Sequence, residues 1–129
     1  MTTQITNGIK ISVVSVYRPD YYNPTLLERY VFSYTVTIEN HNTFPVQLLS
    51  RHWYIFDANV RHYEVQGEGV LGIKPIIAAN GKHEYSSWCS LQAELGSMHG
   101  TYEMLCLHDS QLFNVAIPNF PLIAPYRLN

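Results

Sequence analysis

Apolar and polar positions alternate along most of this chain, and that alternation predicts strands. In residues 9–17, Ile9, Ile11 and Val13 fall on one face. In residues 30–38, Tyr30, Phe32, Tyr34, Val36 and Ile38 point one way and Ser33, Thr35 and Thr37 the other, the pattern of a strand with one core face and one wet face. Residues 46–56 are apolar on both faces and interrupted by Arg51 and His52, so a bulge or a change of sheet is needed to reconcile Leu48-Leu49 with Trp53 and Ile55. Further strands are expected at 61–66, 83–90, 100–107 and 112–117, with a last extended piece at 122–125. Turns are expected at Asn40-His41-Asn42, Asp57-Ala58-Asn59, Ala79-Asn80-Gly81 and His108-Asp109-Ser110, where Asn, Asp and Gly accept turn conformations. Residues 19–24, with two prolines, read as a loop. The best helical candidate, residues 25–29, is one turn at most. Short strands at close spacing predict an all-β, immunoglobulin/fibronectin type III-like antiparallel β-sandwich. Its core should include Phe32, Tyr34, Val36, Trp53, Tyr102 and Met104.

Length and charge narrow the class. Residues 1–129 suit one domain, with no linker, repeat or low-complexity tract. Charged residues make up 14% of the chain against a typical figure of about 25%, and net charge is −2. The eight Lys and Arg are dispersed, so no nucleic-acid-tracking stripe is expected. A neutral, tyrosine-rich surface suits protein contacts, although many of the ten tyrosines serve equally well as half-buried strand residues. No signal peptide and no apolar run of membrane-spanning length is visible, so the expected location is cytoplasmic. Cys89 and Cys106 lie in apolar strand-like runs and read as buried thiols.

Candidate chemistry is sparse. Gly67-x-Gly69-x-x-Gly72 has the spacing of a dinucleotide fingerprint, but Pro75 follows where a helix should open, so nucleotide binding is not expected. The six histidines form no metal-binding spacing, and no cofactor or metal site is expected. Glu64 and Glu68 could hold a hard cation weakly, or could equally end a strand and cap loop amides. No serine-nucleophile signature occurs.

Several blocks resemble the bacterial ApaG family in the family's order: 29–40, Pro45 to Trp53 (P-V-Q-L-L-x-R-x-W), Glu64 to Gly72 (E-V-x-G-E-G-V-x-G), Gly100 to Met104 (G-x-Y-x-M) and Ile117 to Phe120 (I-P-x-F). The chain departs from the family pattern at Ala79-Asn80, where Pro-Gly is usual, and at Trp88, where glycine is usual. The resemblance implies a fold similar to fibronectin type III and a genetic link to cobalt and magnesium efflux. It also implies kinship with interaction domains of eukaryotic F-box and polymerase-interacting proteins.

Two function classes follow. One is a non-enzymatic module that binds a protein partner. The other is a small-ligand or metal-responsive regulatory domain. An efflux pump in its own right is excluded by the absence of spanning segments. The expected partner surface is the glycine segment, residues 64–73: Gln66, Gly67, Glu68, Gly69, Val70, Leu71 and Gly72, with Trp88 and Arg51 nearby. Loops held by rigid strands commonly carry recognition. Val70 and Leu71 could instead plug one end of the sandwich.

Overall fold

The computed structural model describes residues 1–58 and 61–125. Strand order divides them into two antiparallel sheets. The first runs β1 (Thr2–Thr6), β2 (Ile9–Tyr17), β3 (Tyr30–Asn40) and β7 (Lys82–Leu91). The second runs β5 (Arg61–Glu68), β4 (Val46–Asp57), β8 (Leu95–Cys106) and β9 (Leu112–Ile123), with β6 (Ile76–Ile77) also paired to β4. The chain changes sheet between β3 and β4, between β6 and β7, and between β7 and β8, the crossovers of a Greek-key sandwich. A single 3₁₀ turn, Pro19–Tyr21, is the only helical element among the described residues.

The alternation predicted for 9–17 and 30–38 is realised. Ile9, Ile11, Val13, Phe32, Tyr34, Val36 and Ile38 are all buried, and they meet Trp53, Ile55, Met98, Tyr102, Met104, Ile117 and Phe120 from the other sheet. All six residues expected in the core are there. Two bulges let strands with broken periodicity stay in the sheet. In β4 the register shifts between Leu48 and Ser50, so Leu48 and Trp53 both face inward. In β9 the shift lies opposite Met98/Gly100, at Pro118-Asn119, and moves the buried positions from Val115 and Ile117 to Phe120 and Leu122. Proline lacks the donor that a central strand needs; β9 is an edge strand and accommodates Pro118 and Pro121.

Several boundaries differ from expectation. β1 was not anticipated; Asn7 (φ 51°) and Gly8 (φ 77°) close a two-residue hairpin between Thr6 and Ile9, the turn chemistry favoured for this geometry. β8 begins at Leu95 and β9 runs unbroken to Ile123. Asp57 belongs to β4 and is fully buried; the Asn59 of the predicted turn lies outside the described residues. Asp57 accepts the Gln92 and Ala93 backbone amides at 2.7 and 3.0 Å and pairs with Arg61 at 3.1 Å, tying the end of β4 to the β7–β8 connection.

Candidate functional site

The glycine segment is an excursion from the sheet edge. β5 runs beside β4 as far as Glu68, opposite Ser50; the chain then leaves and returns as β6 beside Val46 and Gln47. The strand expected at 61–66 thus runs on through Gly67 and Glu68, which are strand residues and not part of the glycine loop. The local reason is Arg51. Its guanidinium lies over Gly67, where a Cβ would come within 2.7 Å of Nη2. Nη1 donates to the Glu68 and Gly69 carbonyls at 3.1 and 3.0 Å, and the Gly69 amide donates to the Leu49 carbonyl at the β4 bulge at 2.8 Å. Gly69 sits at φ +61°, and a Cβ there would come 2.1 Å from the Ile73 carbonyl oxygen.

Beyond Gly69 the chain closes a second tight hairpin. The Val70 amide donates to Ile73 at 2.8 Å and the Ile73 amide donates back at 3.1 Å. The two turn residues, Leu71 at φ 49° and Gly72 at φ 78°, both take left-handed conformations. Such turns favour Asn or Asp at the first position; a leucine there is held against its own preference. The neighbours at this tip separate sharply. Val70 is 1% exposed and belongs to the core, whereas Leu71 is 63% exposed. Val70 therefore cannot serve as a partner contact as expected; it anchors the turn. Ile73 and Ile76 are also exposed. Lys74 Nζ lies 2.6 Å from Glu68 Oε1, and this ammonium holds the Glu68 carboxyl below its ordinary value.

Trp88 does not join this group. It lies on the outer face of the first sheet, opposite Ser33, with Tyr21 edge-on at 5.3 Å and the Arg18 guanidinium 5.7 Å from its ring. Its neighbour Ser87 points the other way, toward the glycine turn. Side chains alternate along a strand, so one residue's shift in sequence places Trp88 on the wrong face.

Behind the turn lies a polar chamber of about 210 Å³ between the sheets, lined by Tyr34, Arg51, Glu68, Leu71, Tyr85 and Ser87 among others. The Tyr85 and Tyr102 hydroxyls are hydrogen-bonded to each other. Burial pushes the Tyr34, Tyr85 and Tyr102 phenols above their ordinary value. These residues escaped the sequence reading as a site, because they come from both sheets and only the fold brings them together.

The outer face of the second sheet carries a different feature. His52, Tyr54 and His99 stack face to face, with ring centroids 4.4 and 5.2 Å apart. His52 Nε2 is 2.7 Å from Glu64 Oε1 and 3.3 Å from Gln66 Nε2. Because the ring faces cover one another, it is their edges that meet solvent. Glu64, then, pairs with an imidazole; its expected alternative partner Glu68 pairs with Lys74. Among the described residues no group of three or more His, Cys, Asp or Glu side chains gathers to hold a metal ion. No helix among them is long and apolar enough to cross a membrane. Cys89 and Cys106 are free and buried.

Residues 22–106 match the family model described as the ApaG domain. The chain is 43% identical to the protein ApaG of Anaeromyxobacter dehalogenans strain 2CP-C over 129 residues, the full length of both. It is 44% identical to ApaG of Pseudomonas aeruginosa LESB58 over 121 residues, 94% of each. With ApaG of an Escherichia coli O1:K1 strain it shares 46% over 115 residues, 89% of this chain and 90% of that one. Its backbone is similar to the crystal structure of a Bordetella pertussis protein assigned as ApaA, with TM-score 0.84 and 39% identity, over 91% of this chain and 94% of that one. A second X-ray structure, a structural-genomics target, gives TM-score 0.86 and 36% identity over 98% and 94%.

Proposed function

The chain belongs to the ApaG family, and from that premise we propose that it is a non-enzymatic, cytoplasmic protein-interaction module whose partner docks on the glycine turn. The observation that carries this reading is Leu71. A large apolar side chain stands exposed at the tip of a two-residue turn, in a left-handed conformation that leucine disfavours. Strain of that kind persists only where the surroundings over-determine it, and it concentrates at binding sites. Here the surroundings are Arg51 below the turn and Val70 anchored in the core. Exposed Ile73 and Ile76 extend the apolar surface, and the Glu68–Lys74 ion pair supplies a polar rim. An apolar centre with a polar border is the anatomy of a protein interface. The partner surface in this reading is Leu71, Ile73 and Ile76, bordered by Glu68 and Lys74. The link to cobalt and magnesium efflux that the family resemblance implies would run through that partner.

The experiment separates Val70 from Leu71. Val70→Ser should lower stability by about 2 kcal/mol or more, since it removes a fully buried side chain and buries a hydroxyl. Leu71→Ser should leave the urea midpoint within about 0.5 kcal/mol of the parent. Affinity capture from native lysate should then recover a partner with the parent chain and lose it with Leu71→Ser. Recovery of every captured protein by a folded Leu71→Ser variant overturns the assignment.

A further inference from the structure

We propose that the chamber behind the glycine turn is a carboxylate-binding site, in which the Arg51 guanidinium and the Tyr85 hydroxyl receive the carboxylate of a partner chain or a small organic acid. The inference deepens the interaction reading by naming the chemistry at its centre, and it can fail independently of that reading.

The first argument is an excess of donors. Arg51 spends only Nη1 on the Glu68 and Gly69 carbonyls; its Nε and Nη2 enter no hydrogen bond among the described residues. No carboxylate among the described residues lies within salt-bridge distance of it. Glu68, which also lines the chamber, has a side chain 79% exposed and its carboxylate paired with Lys74. Arg51 is thus a half-buried cation on the chamber wall, with no counter-ion among the described residues.

The second argument comes from the phenols. Each hydroxyl has one proton to donate. Tyr102 is fully buried and its hydroxyl meets only that of Tyr85, so its proton lies between the two oxygens. Tyr85 has its own proton left, and Tyr85 lines the chamber. No acceptor among the described residues takes it. Ser87 and Tyr34 add further hydroxyls to the same wall. The Arg51 guanidinium and the hydroxyls of Tyr34, Tyr85 and Ser87 meet on one wall; the hydroxyls can donate or accept, but the guanidinium only donates, and its planar fork matches a carboxylate.

Size selects the ligand further. A volume of about 210 Å³ is below the roughly 300–1,000 Å³ typical of pockets that enclose whole ligands. It suits a terminal group inserted from outside. The chamber opens beside exposed Leu71, so a chain that covers the turn can deliver its carboxylate to Arg51.

The test is an NMR titration of the intact chain at fixed ionic strength. N-acetylglycine supplies a chain-terminal carboxylate, N-acetylglutamate α-amide supplies a side-chain carboxylate, and N-acetylglycinamide supplies neither. Saturable shifts of the Leu71, Gly72 and Ser87 amides with a carboxylate probe, and none with the neutral one, are expected. The tighter of the two carboxylates shows whether the site prefers a chain terminus or an acidic side chain, and acetate, which carries no peptide group, binding as tightly as either marks a small organic acid as the source. Arg51→Gln should abolish the response. Tyr85→Phe, which leaves the Arg51 contacts to the turn in place, should weaken it about tenfold. Equal shifts with the neutral probe, or an unaltered affinity in Tyr85→Phe, overturn the proposal. Neither outcome depends on a captured protein, so the partner assignment stands or falls separately.

Discussion

Raising the pH should dismantle this sandwich from the inside, and the magnitude can be worked from its buried acids. Tyr102 is completely buried and Tyr85 is 8% exposed, and desolvation is the main cause pushing both phenols far above their ordinary value of 10.0. Burial pushes the Cys89 thiol from 9.0 up to about 11. All three hold their protons in the folded state longer than in the unfolded chain. Their contribution to stability is therefore whole below about pH 9 and declines as pH rises through the unfolded values. At about pH 11 the unfolded forms of all three are mostly ionised while the buried groups still hold their protons, so Cys89 removes about 2 kcal/mol and the tyrosine pair a further few kcal/mol. The sum is of the same order as the roughly 5–15 kcal/mol of a typical domain. Tyr34, also raised, adds in the same direction. Urea unfolding at stepped pH should show a flat midpoint up to about pH 9 and a steep fall above about pH 10. Phenolate absorbance should show that some of the ten tyrosines ionise only with unfolding. If every tyrosine titrates near its ordinary value while the fold persists, the interior polar cluster is open to water and the reasoning fails.

Two further outcomes test the turn and its frame. Gly69→Ala should cost about 2–3 kcal/mol by thermal melting, since its Cβ would strike the Ile73 carbonyl as well as strain the backbone, whereas Gly72→Ala, with open space around it, should cost only the conformational term of about 1 kcal/mol. Asp57→Ala should lower the urea midpoint by an amount equivalent to about 3 kcal/mol, because it strands two backbone amides at once while Arg61 keeps its ion pair with Glu28 at 2.6 Å, and amide exchange at Gln92 and Ala93 should accelerate.

The sandwich was legible wherever a strand has one wet face. β3 alternates from Tyr34 to Ile38, where its outer side is the less buried one, and its inward residues could be named from sequence; Ser33, expected on the wet face, is buried, and accepts a hydrogen bond from Arg18. The bulge in β4 was also legible, since a broken period in an otherwise apolar run has few other remedies. β1 was missed because it carries only one apolar side chain, Ile5, although the Asn7-Gly8 pair that follows it was a hairpin signal in plain view. The start of β8 was missed because Gly96 and Gly100 show no hydrophobic pattern. They are there for close approach, as a Cβ at either would press on the Phe56 or His52 carbonyl. In the candidate site, the glycines were correctly read as permission for a tight path, but the reason at Gly67 is the Arg51 side chain above it and not a turn. Val70 and Leu71 looked equivalent as letters. Only the direction of a two-residue turn distinguishes the one that anchors from the one that is displayed.

Arg51 unites the two features of this edge. One of its nitrogens holds the carbonyls of Glu68 and Gly69, and so sets where Leu71 stands; the same side chain lines the chamber. A carboxylate drawn to those donors lowers the side chain's freedom and favours the rotamer that braces the turn. Binding free energies at two linked sites are reciprocal. A partner that packs on Leu71 therefore binds better with the chamber filled, and an acid in the chamber is retained better with the partner in place. If one chain supplies both the apolar cover and the carboxylate, the two contacts reinforce each other within a single interface. If they come from different molecules, the acid controls the partner. Measuring partner binding with and without added N-acetylglycine separates these arrangements: a rise marks two coupled ligands, a fall marks one chain that supplies its own carboxylate, and no change marks independence.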